Sequence, residues 1–296
     1  MNMDTMLNCA YTLIIPHKNI PQLLQRCLDS IPQRNDVQII VVDDDSSPDI
    51  VDFEHFPGKE RDDVEIILTK EGKGAGYARN CGLKRAKGEW LIFADADDFF
   101  LPNFLDTLDM YCNTDYDLIT FRAESTDNTL KSVPSRQWNY EIIAENMDLE
   151  LLKYRNDIPW AKMVSTKLVQ ENRIRFDETP AANDVMFSAY VDYYAHKVTA
   201  CSTSIYCATV RGDSLQYAPV LKNLLARVSV ACRLNRFLRI IGRKDKYVYS
   251  YFRVTECRKY FGRQGYFKAL SIWLCHERWE NIYKTFSDLL KAKFRR

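Results

Sequence analysis

Gly88-Glu89-Trp90-Leu91-Ile92-Phe93-Ala94-Asp95-Ala96-Asp97-Asp98 is the stretch on which the reading of this chain turns. Trp90 to Ala94 is a short apolar run, the pattern of a strand buried on both faces. It runs directly into three acids. The same arrangement occurs earlier, where Val37 to Val42 runs into Asp43-Asp44-Asp45-Ser46-Ser47. Thr12 to Ile15, ending at Pro16, then Val64 to Leu68 and Asp117 to Phe121, read as three further strands. Helical spacing fills the gaps. Asn19 is expected to cap a helix with Pro21 in its first turn. A second helix is expected from about Tyr77 to Lys87, stopped by Gly88, and a third from Pro102 to about Cys112. Strands alternating with helices imply right-handed βαβ units and an α/β fold, with a mostly parallel, Rossmann-like sheet flanked by helices. In such sheets ligands bind beyond the carboxyl ends of the strands. Both acidic runs sit there, so two strands deliver carboxylates to one crevice.

Crowded acids repel one another and raise each other's pKa values unless a cation sits among them. Hard oxygen ligands suit magnesium or manganese, ions usually shared with substrate phosphates. Taken singly, Asp95-Ala96-Asp97-Asp98 also reads as a solvated loop before Pro102, and Asp43-Asp44-Asp45 as a turn. Gly72-Lys73-Gly74-Ala75-Gly76 is not a dinucleotide fingerprint, because the third glycine would fall at Tyr77. It is not a phosphate-cradling P-loop either, because Ala75 follows Gly74. It reads as a glycine turn before a helix, on which Arg79 reaches a diphosphate or pairs with an aspartate.

Further along, Ser125 to about Asn139 reads as a polar loop. Ile142 to Leu152 and Lys162 to Asn172 read as helices. Asn183 caps a helix on which Met186, Ala189, Tyr190 and Tyr193 share a face. Val198 to Val210 reads as a strand or hairpin.

Taken in order, Thr12-Leu13-Ile14-Ile15-Pro16, Val41-Val42-Asp43-Asp44-Asp45-Ser46, Ala78-Arg79-Asn80 between Gly76 and Gly82, and Gly88 through Asp98 resemble glycosyltransferase family 2, whose fold is GT-A. The resemblance runs roughly from Tyr11 to Ser214. It implies an inverting transfer of a sugar from a nucleoside-diphosphate donor, assisted by a divalent metal, manganese or magnesium. It implies that Asp43 and Asp44 hold the uracil and ribose of a UDP-type donor, in a pocket that also includes Pro16, Asn19 and Arg79. Asp97 becomes the direct metal ligand, and Asp95 lies near the metal or the ribose. Trp160 and Lys162, within Pro159-Trp160-Ala161-Lys162, open the acceptor pocket, and Asn183 adjoins it. Asp184 is the general base. Arg211, in Arg211-Gly212-Asp213-Ser214, lies near the phosphates. Read from the residues alone, Asp184 is equally an acid at a helix start. The chain departs from the family pattern in Ala182-Asn183, where Gly-Glu is common, and in His17-Lys18-Asn19, where an aromatic often precedes the asparagine.

Composition bounds the rest. The 296 residues are 46% hydrophobic and 27% charged, ordinary for a globular protein. The net charge of +1 hides an asymmetry: residues 219–296 hold 19 Lys/Arg against 5 Asp/Glu, leaving 22 basic and 35 acidic residues in 1–218. The expected organisation is therefore a GT-A catalytic domain over 1–218 and a basic helical region over 219–296. Leu221 to Ile241 and Phe267 to Phe294 mix cations with apolar and aromatic residues, as helices on an anionic membrane surface do. Packing against the catalytic domain is the other reading. No zinc-finger or RNP-type motif appears, so no nucleic-acid partner is expected. Nine scattered cysteines without a CxxC pair fit reduced thiols. With neither a signal peptide nor a spanning helix in view, the expectation is a cytoplasmic protein, peripheral on the inner face of the membrane. A sugar nucleotidyltransferase would carry a Gly-rich, Lys/Arg-containing signature after its first strand, where Pro16-His17-Lys18-Asn19 stands. The reading from another class is a non-catalytic, membrane-associated scaffold with a GT-A-like fold.

Overall fold

The computed structural model describes residues 10–137, 149–211 and 219–294. They form two compact units, one of residues 1–178 with 187–211 and one of 179–186 with 212–296.

The first unit holds an eight-stranded sheet. Its strands are β1 (Tyr11–His17), β2 (Val37–Asp44), β3 (Val64–Thr69), β4 (Trp90–Phe93), β5 (Phe99–Phe100), β6 (Leu118–Asp127), β7 (Lys162–Ser165) and β8 (Val198–Val210). The spatial order is β3-β2-β1-β4-β7-β6-β8-β5. The first four in that order run parallel, β7 is antiparallel to both its neighbours, β8 runs parallel to β6, and β5 is antiparallel to β8. The sheet is thus mixed and mostly parallel.

All seven residues of β1 are buried, which is what a strand covered on both faces requires. Its side chains alternate between two cores. Leu13 and Ile15 join Ile39, Val41 and Ile92 beneath α1 (Pro21–Asp29) and α3 (Phe104–Asp109), which contribute Leu24, Leu28, Phe104 and Leu108. Ile14 faces the opposite core with Leu91, Phe93, Val164 and Phe187. Ala78 of α2 (Ala75–Leu83) packs on Ile40 and Val42. Three shorter or later helices complete this part of the chain: α4 (Leu149–Leu152), α5 (Thr166–Glu171) and α6 (Val185–Tyr194).

Several elements differ from the sequence reading. The helix expected from Lys162 divides. Lys162–Ser165 is β7, inserted between β4 and β6, and the helix starts at Thr166 after Ser165 caps it by accepting from the Leu168 amide. β6 continues six residues beyond Phe121, through part of the expected loop, because β8 pairs with it as far as Asp127↔Val210. Asn19 is not the helix cap: Ile20 holds that position, and Asn19 adopts the left-handed φ of 57°. The second helix ends at Leu83, well short of Gly88. Gly88 instead lets two backbones touch, since a Cβ there would lie 2.5 Å from the carbonyl carbon of Tyr11. The third helix starts at Phe104 and ends at Asp109. Of the helix expected over Ile142 to Leu152, residues 142–148 lie outside the described residues. Val198 to Val210 is one continuous strand of 13 residues.

The second unit contains α7 (Leu221–Ile240), α8 (Tyr251–His276) and α9 (Trp279–Phe294). Leu224, Val228, Cys232, Val254, Cys257, Trp273 and Ile282 form its core. Glu277 is buried there and accepts from Ser250 Oγ at 2.5 Å and Asn235 Nδ2 at 3.1 Å. α8 breaks at Gly262, whose φ of 60° is left-handed.

Candidate active site

β1, β2 and β4 are parallel and in register, so their carboxyl ends share one edge of the sheet. Asp43 and Asp44 end β2, and Asp95 to Asp98 follow β4. The two acidic runs are two strand spacings apart, about 10 Å.

Asp95, Asp97 and Asp98 each bring a carboxylate oxygen within 4.8 Å of the others. Asp98 is fully buried and held on both oxygens: Tyr206 Oη donates to Oδ2 at 2.8 Å and the Thr209 amide to Oδ1 at 2.7 Å. Tyr206 Oη also accepts from the Asp95 amide at 2.9 Å, so one hydroxyl ties the two ends of the turn. Arg79 Nη2 donates to Asp95 Oδ1 at 2.5 Å. Arg211 Nη2 lies 2.9 Å from Asp97 Oδ2. Arg26 donates to the carbonyl of Asp97 at 2.5 Å and to Thr209 Oγ1 at 2.8 Å, while its guanidinium lies over the Phe99 ring. Burial raises the pKa of Asp97, the charge of Asp95 adds to the rise, and Arg211 opposes it. Asp98 is pushed well up by burial and by the charges of Asp95 and Asp97. The guanidiniums of Arg79 and Arg211 each pair with one acid of the cluster, Asp95 and Asp97 respectively.

The donor set fits a divalent magnesium or manganese ion, since all its ligand atoms are hard carboxylate oxygens. Asp98 is engaged on both oxygens. Asp95 and Asp97 each have a second oxygen beyond the one that meets an arginine, which makes these two the residues suited to hold the ion.

At β2 the acids brace the surrounding loops. Ser46 donates through its amide to Asp43 Oδ1 at 3.0 Å and through its hydroxyl to Oδ2 at 2.6 Å. His17 is buried beside Asp43. Its Nε2 accepts from the Ile20 amide at 3.2 Å, so the ring proton sits on Nδ1, which donates to Asp43 Oδ2 at 2.7 Å. Burial pushes the Asp43 carboxyl up, but the hydrogen bonds from His17 and Ser46 outweigh it and hold it below its ordinary value. Asp44 accepts from the amides of Gly74 at 2.6 Å and Lys73 at 3.2 Å, fixing the glycine turn against the sheet edge. Asn19 joins the two loops: its amide donates to Ser46 Oγ, and its Oδ1 accepts from the Ser47 amide, both at 2.8 Å. Pro16 lies in β1 opposite Val42.

Trp160 is buried and stacks on Tyr206, with ring centroids 5.2 Å apart, and Arg136 lies over it at 5.9 Å. Lys162 is also buried. Its ammonium donates to the Asn156 carbonyl at 2.5 Å and opposes the rise that burial imposes on Asp192. Asn183 and Asp184 precede α6 and belong to the second unit, where the charge of Asp184 acts on Arg227. Arg211 is described, while Gly212 to Ser214 lie outside the described residues.

The first unit therefore brings together Asp95, Asp97, Arg79 and Arg211, and separately Asp43, Asp44 and Asn19. Sequence reasoning missed Arg26, Tyr206 and Thr209. Tyr206 is 108 residues from Asp98, and nothing within the β8 run marks its hydroxyl out.

An open sheet with paired acidic strand ends is the GT-A arrangement. The crystal structure of S. aureus TarS 1-349 in complex with UDP-GlcNAc superposes on 92% of this chain and 82% of that one, with a TM-score of 0.69 at 19% identity. A profile described as Glycosyl transferase family 2 matches residues 12–173, more than half of the chain. The chain belongs to glycosyl transferase family 2. Among curated relatives, the poly(ribitol-phosphate) beta-glucosyltransferase of Bacillus spizizenii is 28% identical over 221 residues, covering 70% of this chain and 34% of the relative. Glycosyltransferase GlyA of Streptococcus pneumoniae is 25% identical over 227 residues, covering 69% and 31%. The chain thus spans about a third of the length of these two proteins.

Proposed function

We propose that this chain is an inverting hexosyltransferase that moves a sugar from a UDP-linked donor to a hydroxyl of a glycan or lipid-linked acceptor in polysaccharide synthesis. The carrying observation is the triad of Asp95, Asp97 and Asp98 at a parallel sheet edge, with Arg79 and Arg211 on two of its acids. The UDP-GlcNAc in the related TarS structure supports the donor class. Asp43 and Asp44, with Pro16 and Asn19, form the base and ribose end of the donor pocket. Asp95 and Asp97 are the residues that would hold a divalent cation, which would supply positive charge to a leaving diphosphate. Arg79 and Arg211 add donors to the same group.

Asp184 takes the proton from the acceptor hydroxyl. The hydroxyl oxygen then bonds to the anomeric carbon from the face opposite the nucleotide. The bond from that carbon to the diphosphate oxygen breaks, its electron pair leaves with the nucleotide, and one displacement inverts the centre. Trp160, Lys162 and Asn183 belong to the acceptor side. The relative from Bacillus spizizenii is named for poly(ribitol-phosphate), which adds a polyol-phosphate chain to the acceptors worth assaying.

No helix among the described residues is long and apolar enough to cross a membrane. The second unit offers a peripheral attachment instead. Trp279 and Tyr283, four residues apart on one face of α9, are 82% and 78% exposed. Cations surround them in sequence, which fits the inner, anionic surface of a membrane.

The deciding experiment measures nucleotide release from UDP-, GDP- and dTDP-sugars with manganese, magnesium or EDTA, for the wild type and Asp97→Ala. Metal-dependent release from one donor, lost in the variant, is the expected result. Silence across the panel, with no metal-dependent nucleotide binding by calorimetry, favours the non-catalytic scaffold.

A further inference from the structure

Arg211 lies one residue beyond the end of β8, and its guanidinium pairs with Asp97 Oδ2. The two side chains are only 17% and 21% exposed, so water screens their attraction little. Arg79 makes the matching pair with Asp95, but it is fixed in place. It is 5% exposed, rises from α2 and lies over the Phe176 ring at 5.2 Å. Arg211 is the less enclosed guanidinium of the two.

A divalent cation held by Asp95 and Asp97 shares the Asp97 carboxylate with Arg211. Two positive groups on one carboxylate repel each other, so the ion and the arginine compete. A diphosphate relieves the competition, because its oxygens accept the fork of N–H donors that Arg211 presents.

We infer that Arg211 is an exchange cation, which neutralises Asp97 until a divalent ion and a nucleoside diphosphate arrive together and then passes to the diphosphate. This rests on the nucleotide-sugar reading above and adds an order to it. The metal alone binds weakly, and metal and nucleotide strengthen each other's binding beyond what direct bridging provides. The coupling is reciprocal, as any linkage between two ligands must be.

The test is calorimetry on the full chain, titrating manganese alone and then UDP at saturating manganese, for the wild type and Arg211→Met. The competition predicts opposite signs: Arg211→Met binds manganese alone about three- to tenfold tighter, and UDP about tenfold weaker. A purely structural role for Arg211 would weaken both. Unchanged or weaker manganese binding in Arg211→Met overturns the exchange, and if Asp97→Ala abolishes manganese binding in the same series, the metal site itself stands. A wild type that binds no manganese even with UDP overturns the nucleotide-sugar reading and the exchange with it. Should Arg211→Met melt too low to interpret, Arg211→Lys carries the test. Its point charge keeps the competition but lacks the fork, so manganese affinity should stay within about twofold while UDP weakens. Tighter manganese binding by the lysine variant overturns the exchange.

Discussion

Tyr206 is one hydroxyl with two partners, giving its proton to Asp98 and accepting one from the Asp95 amide. Tyr206→Phe keeps the stack on Trp160 but leaves the buried Asp98 carboxyl short of a donor and the Asp95 amide short of an acceptor. The expected cost is about 1–3 kcal/mol by denaturant unfolding, with weaker manganese binding because the turn loses its clamp. At this scale the sequence is legible for one kind of residue. Asp95 and Asp97 stand out because charges interrupt an apolar run at a strand end. Tyr206, Thr209 and Arg26 do not stand out, because their importance lies entirely in what folds against them.

Elements were legible where burial on both faces makes a strand uniformly apolar, as in β1, β2 and β4. β7 was not, since Lys162 at its start and polar residues after Ser165 imitate a helical face. β6 was cut short for a similar reason: Arg122, Glu124 and Ser125 look like a loop until β8 is known to pair with them. Gly88 stands out in the sequence, but its place in the fold is set by close backbone packing and not by ending a helix. A Cβ at Gly88 would run into the backbone of Tyr11 and Thr12, so Gly88→Ala forces β1 away from the start of β4. That overpacking against rigid backbone should cost about 3 kcal/mol or more, read as a lowered melting temperature. The loop before β2 is clipped to the end of α3 by Arg34, whose Nη1 donates to Asp109 Oδ2 at 2.8 Å, and Tyr11 donates to the same carboxylate. Burial alone would raise Asp109, but these donors hold it below its ordinary 3.8. A carboxyl depressed in the folded state stabilises the fold above its unfolded pKa and loses that contribution as pH falls through the folded value. Arg34→Met should therefore be less stable than the wild type near pH 7, with the gap narrowing as the pH falls below the ordinary carboxyl range in urea titrations across pH.

Over the whole molecule the charge division is the dominant feature, and it was fully legible from counting. If the basic second unit attaches to anionic lipid, the full chain should co-sediment with phosphatidylglycerol vesicles and not with phosphatidylcholine alone. Binding should fall as salt rises from 0.05 to about 0.5 M. Replacing Trp279 and Tyr283 by alanine together should weaken it about tenfold or more, since both rings are exposed and lie on one face. Equal binding to neutral vesicles would remove the electrostatic explanation.

The length of β8 has a practical consequence. The family profile ends at residue 173, yet Tyr206, Thr209 and Arg211, which clamp or neutralise the acids of 95–98, all come from β8 or the residue after it. A fragment trimmed to the recognisable signature would keep the acids that end β2 and follow β4 and discard the scaffold that makes those of 95–98 tolerable side by side. What identifies a relative and what suffices to build its working centre are, in this chain, different stretches of polypeptide, and any dissection into domains has to be cut to the second.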